Sequence, residues 1–113
     1  MEKAKVIFKK EYNQYTKKYD VFAVFPEPSF KANYGNLQCY TSEGWNECSY
    51  DYYATAKKAN PDEYADMLAY LQRLFNGDDG DEPLELIVAQ KISTKMYGEL
   101  LTMWKNVTEG IIC

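Results

Sequence analysis

The sequence predicts an α+β domain: a three- to four-stranded, mainly antiparallel sheet with helices on one face, in the order β-β-β-(α)-α-β-α. Three features carry this expectation. Short apolar runs of strand length, separated by turn residues, occupy the chain before Thr41. Asn60 to Phe75 holds a strongly specified amphipathic helix. A further apolar run and a second helical pattern then complete the order.

In Lys5-Val6-Ile7-Phe8-Lys9, Val6 and Phe8 share one side of a pleated strand and Ile7 takes the other. Glu11 to Lys18 is polar apart from Tyr12 and Tyr15, and reads either as a long hairpin loop or as an exposed extension of both flanking strands. Tyr19 to Phe25 is a second strand whose nearly continuous apolar run implies cover on both faces. Pro26 and Pro28 stop it, so Pro26 to Gly35 is an irregular connection. Asn36 to Thr41 alternates again, with Leu37 and Cys39 inward, and Ser42-Glu43-Gly44 is a turn leading into Trp45-Asn46-Glu47-Cys48. Ser49 can cap a short helix or turn through Ala54, and Lys57, Lys58 and Ala59 form a link.

The helix after that link has its start written twice: Asn60 as cap with Glu63 as the returning carboxylate, and Pro61 at the first helical position. Tyr64, Met67, Leu68, Leu71, Leu74 and Phe75 then form one apolar stripe at helical spacing. Asn76 to Pro83 is a loop, with Gly77 placed to end the helix. Leu84 to Ile92 is the fourth strand. Ser93 or Thr94 caps a last helix to about Val107, with Met96, Tyr97, Leu100, Leu101, Met103 and Trp104 on a broad apolar face, and Gly110 ends it before an Ile111-Ile112-Cys113 tail.

Composition narrows function mainly by exclusion. A chain of 113 residues is long enough for one core and one domain. Thirteen Lys and Arg stand against seventeen Asp and Glu, and Arg73 is the single arginine, so the basic face of a nucleic-acid reader is missing and such binding is disfavoured. No apolar run reaches membrane-spanning length and no secretory leader is visible, which makes the cytoplasm the expected location. Cys39, Cys48 and Cys113 share no metal-type spacing and fit free thiols in a reducing compartment, with Cys39 a small buried hydrophobe. Histidine is absent, which removes the usual general base and the commonest metal ligand together. Asp62, Glu63 and Asp66 suit a helix N-terminus, and the acidic loop from Gly77 to Pro83 lacks the ligand spacing of an EF-hand. No catalytic residue, cofactor site or metal site is expected. What departs from the average is the aromatic share, 16% of the chain with eleven tyrosines. Tyr34, Tyr40, Trp45, Tyr50, Tyr52 and Tyr53 are the candidate protein-binding residues, because no single helix or strand face can bury Tyr50, Tyr52 and Tyr53 together. The same group could instead simply lid a sheet edge.

The order K-V-I-F-K-K, A-V-F-P-E, a strand running into C-Y, S-Y-D-Y-Y, A-N-P-D-E-Y-A-D-M-L-A-Y-L and a strand ending Q-K-I resembles a widespread group of short uncharacterised proteins encoded by phages and mobile elements of gut bacteria. The resemblance covers about Lys3 to Ile92, and its most specific part is the P-x-E-Y-A-D-x-L helix entry. In that group G-Q-H follows the C-Y strand and G-Y-D-L follows the helix; this chain has E-G-W-N-E at Glu43 to Glu47 and a longer acidic loop instead. The resemblance implies a core over about 3–92 with the helix at about 94–108 as an addition, and a small accessory protein that acts by binding a host protein. Inhibition of a host defence system such as CRISPR-Cas is one concrete version. A self-assembling structural protein, with a homodimer seam through the C-terminal helix, is the second expectation.

Overall fold

The computed structural model describes residues 2–27, 30, 32, 33, 35–76 and 83–112, of which 2 and 106–112 are described by backbone alone. Nine elements follow in order: β1 (Glu2–Asn13), β2 (Lys18–Phe25), β3 (Asn36–Thr41), β4 (Gly44–Ser49), α1 (Tyr50–Thr55), β5 (Lys57–Lys58), α2 (Pro61–Leu74), β6 (Leu84–Val88) and α3 (Thr94–Ile112). The α+β class is as expected, but the sheet is larger: six strands among the described residues, in the path β4-β3-β2-β1-β5, with β6 also on β1. All pairings are antiparallel except β1 with β6, which is parallel.

The length of β1 makes this possible. Its first five residues pair with β6, from Glu2 with Leu84 to Val6 with Val88, and Lys9 and Lys10 pair with β5 on the same edge. The other edge is taken by β2 from Ile7 to Asn13. The polar stretch after Lys10 is therefore an extension of both strands, closed by a turn in which Asn13 Oδ1 accepts from the backbone N–H groups of Tyr15 and Thr16 at 2.9 and 3.2 Å. The elements that sequence patterns did not mark are β4, the hairpin partner of β3, and the two-residue β5, which is too short to show a period.

Helices cover both faces of the sheet, not one. Val6 and Phe8 of β1 and Ala23 and Phe25 of β2 point to a cluster closed by Leu71 of α2, with Tyr64, Met67 and Leu68 packed around it. Ile7, Phe22 and Val24 point the other way, to Leu37, Cys39, Tyr53 of α1, and Leu100 and Trp104 of α3. A strand pair apolar on both sides leaves water in contact with one side unless both are covered. The C-terminal helix is thus the lid of the second core, and its Trp104 Nε1 donates to the Asn36 carbonyl at 3.2 Å. Its backbone continues past Gly110 to Ile112, since one glycine costs a helix only about 1 kcal/mol. Gly77 and the rest of the acidic loop before Pro83, together with Cys113, lie outside the described residues.

The helix entries follow their sequence signals. Ser49 Oγ accepts from Tyr52 N–H at 3.0 Å at the start of α1, and Ser93 Oγ accepts from Met96 N–H at 3.1 Å at the start of α3. In α2 the Glu63 carboxylate accepts from Asn60 N–H at 2.8 Å and pairs with Lys10 at 2.9 Å. Those two interactions, the backbone one first, hold the Glu63 carboxyl below its ordinary range. The stripe on α2 departs from expectation at Leu74, which is 47% exposed while Leu71 is fully buried. At about 100° per residue Leu74 lies about 60° round from Leu71, at the margin of the stripe. Among the described residues no helix is long and apolar enough to cross a membrane.

Leu71→Ala should lower unfolding free energy by about 2–5 kcal/mol, and Leu74→Ala by less than about 1 kcal/mol, in urea titrations of the two variants. A depressed carboxyl pKa contributes stability that is present above the unfolded-state value and is lost as pH falls through the folded-state value. Glu63→Gln should therefore be less stable than the wild type near neutrality, with the gap closing in acid below the usual glutamate range; a gap independent of pH would show that the charge contributes nothing.

Candidate functional site

An aromatic surface lies on the α2 side of the sheet, where β3, β4 and the end of α2 meet. The register places Tyr40 directly opposite Trp45, and their rings meet edge to face with centroids 5.1 Å apart. Phe25 is the floor, only 1% exposed. Around it stand Phe30 at 4.8 Å, Trp45 at 5.4 Å and Phe75 at 6.0 Å, centroid to centroid. Phe75 also meets Phe30 and Trp45 edge-on, at 6.2 and 6.1 Å. Offset and edge-on rings at these separations satisfy the aromatic quadrupole and hold one another in place. Phe30, Gln38, Trp45 and Phe75 line a shallow depression of about 290 Å³.

Tyr70 extends the surface along α2. Its ring is 5.8 Å from that of Tyr40, and the neighbouring Tyr70 hydroxyl raises the Tyr40 pKa, with burial adding to it. Leu74 stands one helical turn beyond Tyr70 on the same side of the helix. Trp45, Tyr70 and Leu74 are 47%, 43% and 47% exposed, so this aromatic surface faces water although its floor belongs to the core.

Of the six candidate residues, Tyr40 and Trp45 are in this surface and Tyr34 lies outside the described residues. The other three are on the opposite face. Tyr53 is 5% exposed and its hydroxyl accepts from Ile92 N–H at 3.0 Å. Lys9 Nζ sits 4.7 Å above its ring, and burial, then Lys58, lowers the Lys9 pKa. Tyr50 packs against Tyr97 at 4.9 Å and near Trp104 at 6.3 Å, in the lining beneath α3. Tyr52 lies against Phe22 at 5.5 Å and donates its hydroxyl to the Glu11 carboxylate; burial first, and then Glu11, push its pKa up. The six therefore do not form one patch. Phe30, Tyr70, Leu74 and Phe75 join the surface without having been singled out for it, although Tyr70 lies one helical turn before Leu74 of the α2 stripe.

On that opposite face a cavity of about 460 Å³ is lined by Glu11, Asp20, Phe22, Cys39, Cys48 and Tyr52 among others. Among the described residues no three His, Cys, Asp or Glu side chains are gathered so as to hold a metal ion. Comparison of the chain with protein-family models, curated proteins and solved structures finds no match.

If Trp45 is a surface anchor over a core floor, Trp45→Ala should cost well under half of what Phe25→Ala costs, which is about 3–5 kcal/mol for a buried Phe. Equal losses in urea unfolding would make Trp45 a core residue in all but exposure.

Proposed function

We propose that this protein is a non-enzymatic binding module that docks on another protein through the surface formed by Tyr40, Trp45, Tyr70 and Leu74, with Phe30 and Phe75 behind them. The observation that carries this reading is one continuous set of ring contacts running from the buried Phe25 out to half-exposed Trp45 and Tyr70. Rings fixed in this way keep large apolar area in water without rotational freedom, so a partner can cover them at small entropic cost. Tryptophan and tyrosine are the side chains most enriched among residues that dominate binding energy.

The neighbouring backbone supports the same use. β4 ends the strand path, and polar side chains restrain the backbone along this hairpin. Asn46 Oδ1 accepts from Glu47 N–H at 2.8 Å, while the Glu47 carboxylate accepts from Asn33 N–H at 3.1 Å and from Asn36 Nδ2 at 3.2 Å. Such groups discourage indiscriminate strand pairing beside the rings. That the partner is a host protein, and the chain an accessory protein of a phage or mobile element that blocks it, as an inhibitor of CRISPR-Cas would, rests on the sequence resemblance alone. The self-assembly reading draws less support, because Leu100 and Trp104 are buried against the chain's own sheet and a seam on α3 would have to use the side bearing Leu101.

Tagged wild-type protein should capture one host protein from a lysate, and Trp45→Ala and Tyr70→Ala should each weaken binding to that purified protein by about tenfold or more, as hot-spot losses do. Tyr12→Ala, at an exposed position on the β1–β2 hairpin, should bind as wild type does. Capture that survives Trp45→Ala and Tyr70→Ala, or a wild-type dimer that Leu101→Asp dissociates, would replace this reading with the second.

A further inference from the structure

The pairing of β3 with β4 sets Leu37 opposite Cys48 and Cys39 opposite Asn46. Cys39 and Cys48 are therefore diagonal neighbours on one face of a hairpin, and both belong to the apolar cluster under α1 and α3. Cys39 is buried, Cys48 is half-buried, and both line the 460 Å³ cavity. Each thiol shifts the other: the Cys48 side chain lowers the Cys39 pKa, and the Cys48 pKa is pushed up by Cys39 and by burial.

We propose that Cys39 and Cys48 are a redox modification site: a small uncharged hydroperoxide entering the cavity converts them reversibly to an intramolecular disulfide that ties β3 to β4. Diagonal pairs stand roughly 7–8 Å apart in a regular ladder, and a disulfide spans roughly 4.4–6.8 Å between Cα atoms. The remaining gap is small, and β4 is the strand placed to close it, because it ends the strand path and β3 is its one partner there. Glu11, Asp20 and Glu43 also line the cavity. Their negative field disfavours anionic oxidants such as a glutathione disulfide and admits neutral ones.

The chemistry balances with the hydroperoxide as the only co-reactant. Cys39 as thiolate attacks the terminal peroxide oxygen; an S–O bond forms, the O–O bond breaks, and the leaving oxygen takes a proton to depart as water or alcohol. Cys48 then attacks the sulfenic sulfur; the S–S bond forms, the S–O bond breaks, and the thiol proton leaves with the hydroxyl as water. Two electrons pass from the sulfur pair to the peroxide. A dithiol reductant reverses the step by exchange. Trp45 stands on the other face of the same hairpin, so the bridge braces the strand that carries it.

The test uses the full-length chain without substitution. It is treated with stoichiometric hydrogen peroxide, its remaining thiols are alkylated, and the digest is mapped by mass spectrometry. The expected product is a Cys39–Cys48 cross-link lighter by two hydrogens, reversed by dithiothreitol, and formed roughly tenfold or more faster in the folded chain than in urea, because the fold raises the effective concentration of one thiol at the other. Alkylation of both cysteines after excess peroxide, a link from either of them to Cys113, or a rate no faster than in urea would overturn the proposal. Phenylarsine oxide, which needs two thiols within reach of one arsenic, gives a second reading: it should protect Cys39 and Cys48 together from alkylation, and protection of neither would count equally against the site.

Discussion

The structure depends on one constraint, the pairing of two central strands that are apolar on both sides. Ile7 opposes Val24 and Phe8 opposes Ala23 along the β1–β2 ladder, and each pair points to a different face. Burying such a ladder stabilises the chain by roughly 25 cal/mol for every Å² of apolar surface taken from water, and that gain is available on both faces only if each has a lid. α2 supplies one lid through Leu71, and α3 with α1 supplies the other through Leu100, Trp104 and Tyr53. The C-terminal helix is thus part of the folding unit.

The remaining architecture follows from how the strand edges are finished. The outer side of β6 is met by the side-chain amide of Gln72, which donates to the Leu84 carbonyl and accepts from Leu86 N–H, both at 2.9 Å, in imitation of another strand. β5 is short and carries two lysines, a composition that resists further pairing. At β4 the hairpin presents rings instead. The apolar stripe of α2 ends at Phe75, and there Phe30, Trp45 and Phe75 itself close over Phe25. A binding surface built there needs no separate scaffold: its floor is the core itself, which gives the rings the rigidity that a protein contact requires.

Local signals were legible where the interactions that satisfy them are local. The Asn60-Pro61-Glu63 entry of α2, the Ser49 cap of α1, the Ser93 cap of α3 and the bounds of β3 all stand where the residues place them, because each depends on hydrogen bonds or side-chain alternation within a few positions. β4 and β5 were not legible. Gly44–Ser49 contains three exposed polar residues and a half-exposed Trp, and it is a strand only because β3 lies beside it. Leu74 reads as core on a helical wheel and is surface in the fold, since it lies at the margin of the stripe, about 60° round from the buried Leu71. The candidate site was legible in kind but not in membership. An excess of tyrosine and tryptophan pointed to an aromatic surface, yet which rings share it depends on facing strands.

By itself the sequence determined the α+β class, the helix starts, the alternation of β1 and β3, the nearly continuous apolar run of β2, and the lack of histidine that limits the available chemistry. The tertiary structure alone decided that the helices divide between two faces, that Tyr40 and Trp45 join Tyr70 while Tyr50 and Tyr53 pass to the opposite core, and that Cys39 lies diagonally across from Cys48. The physical reason is that caps and periodicity act over one or two turns of chain. Strand register brings together residues far apart in sequence, and a shift of a single residue would exchange the faces.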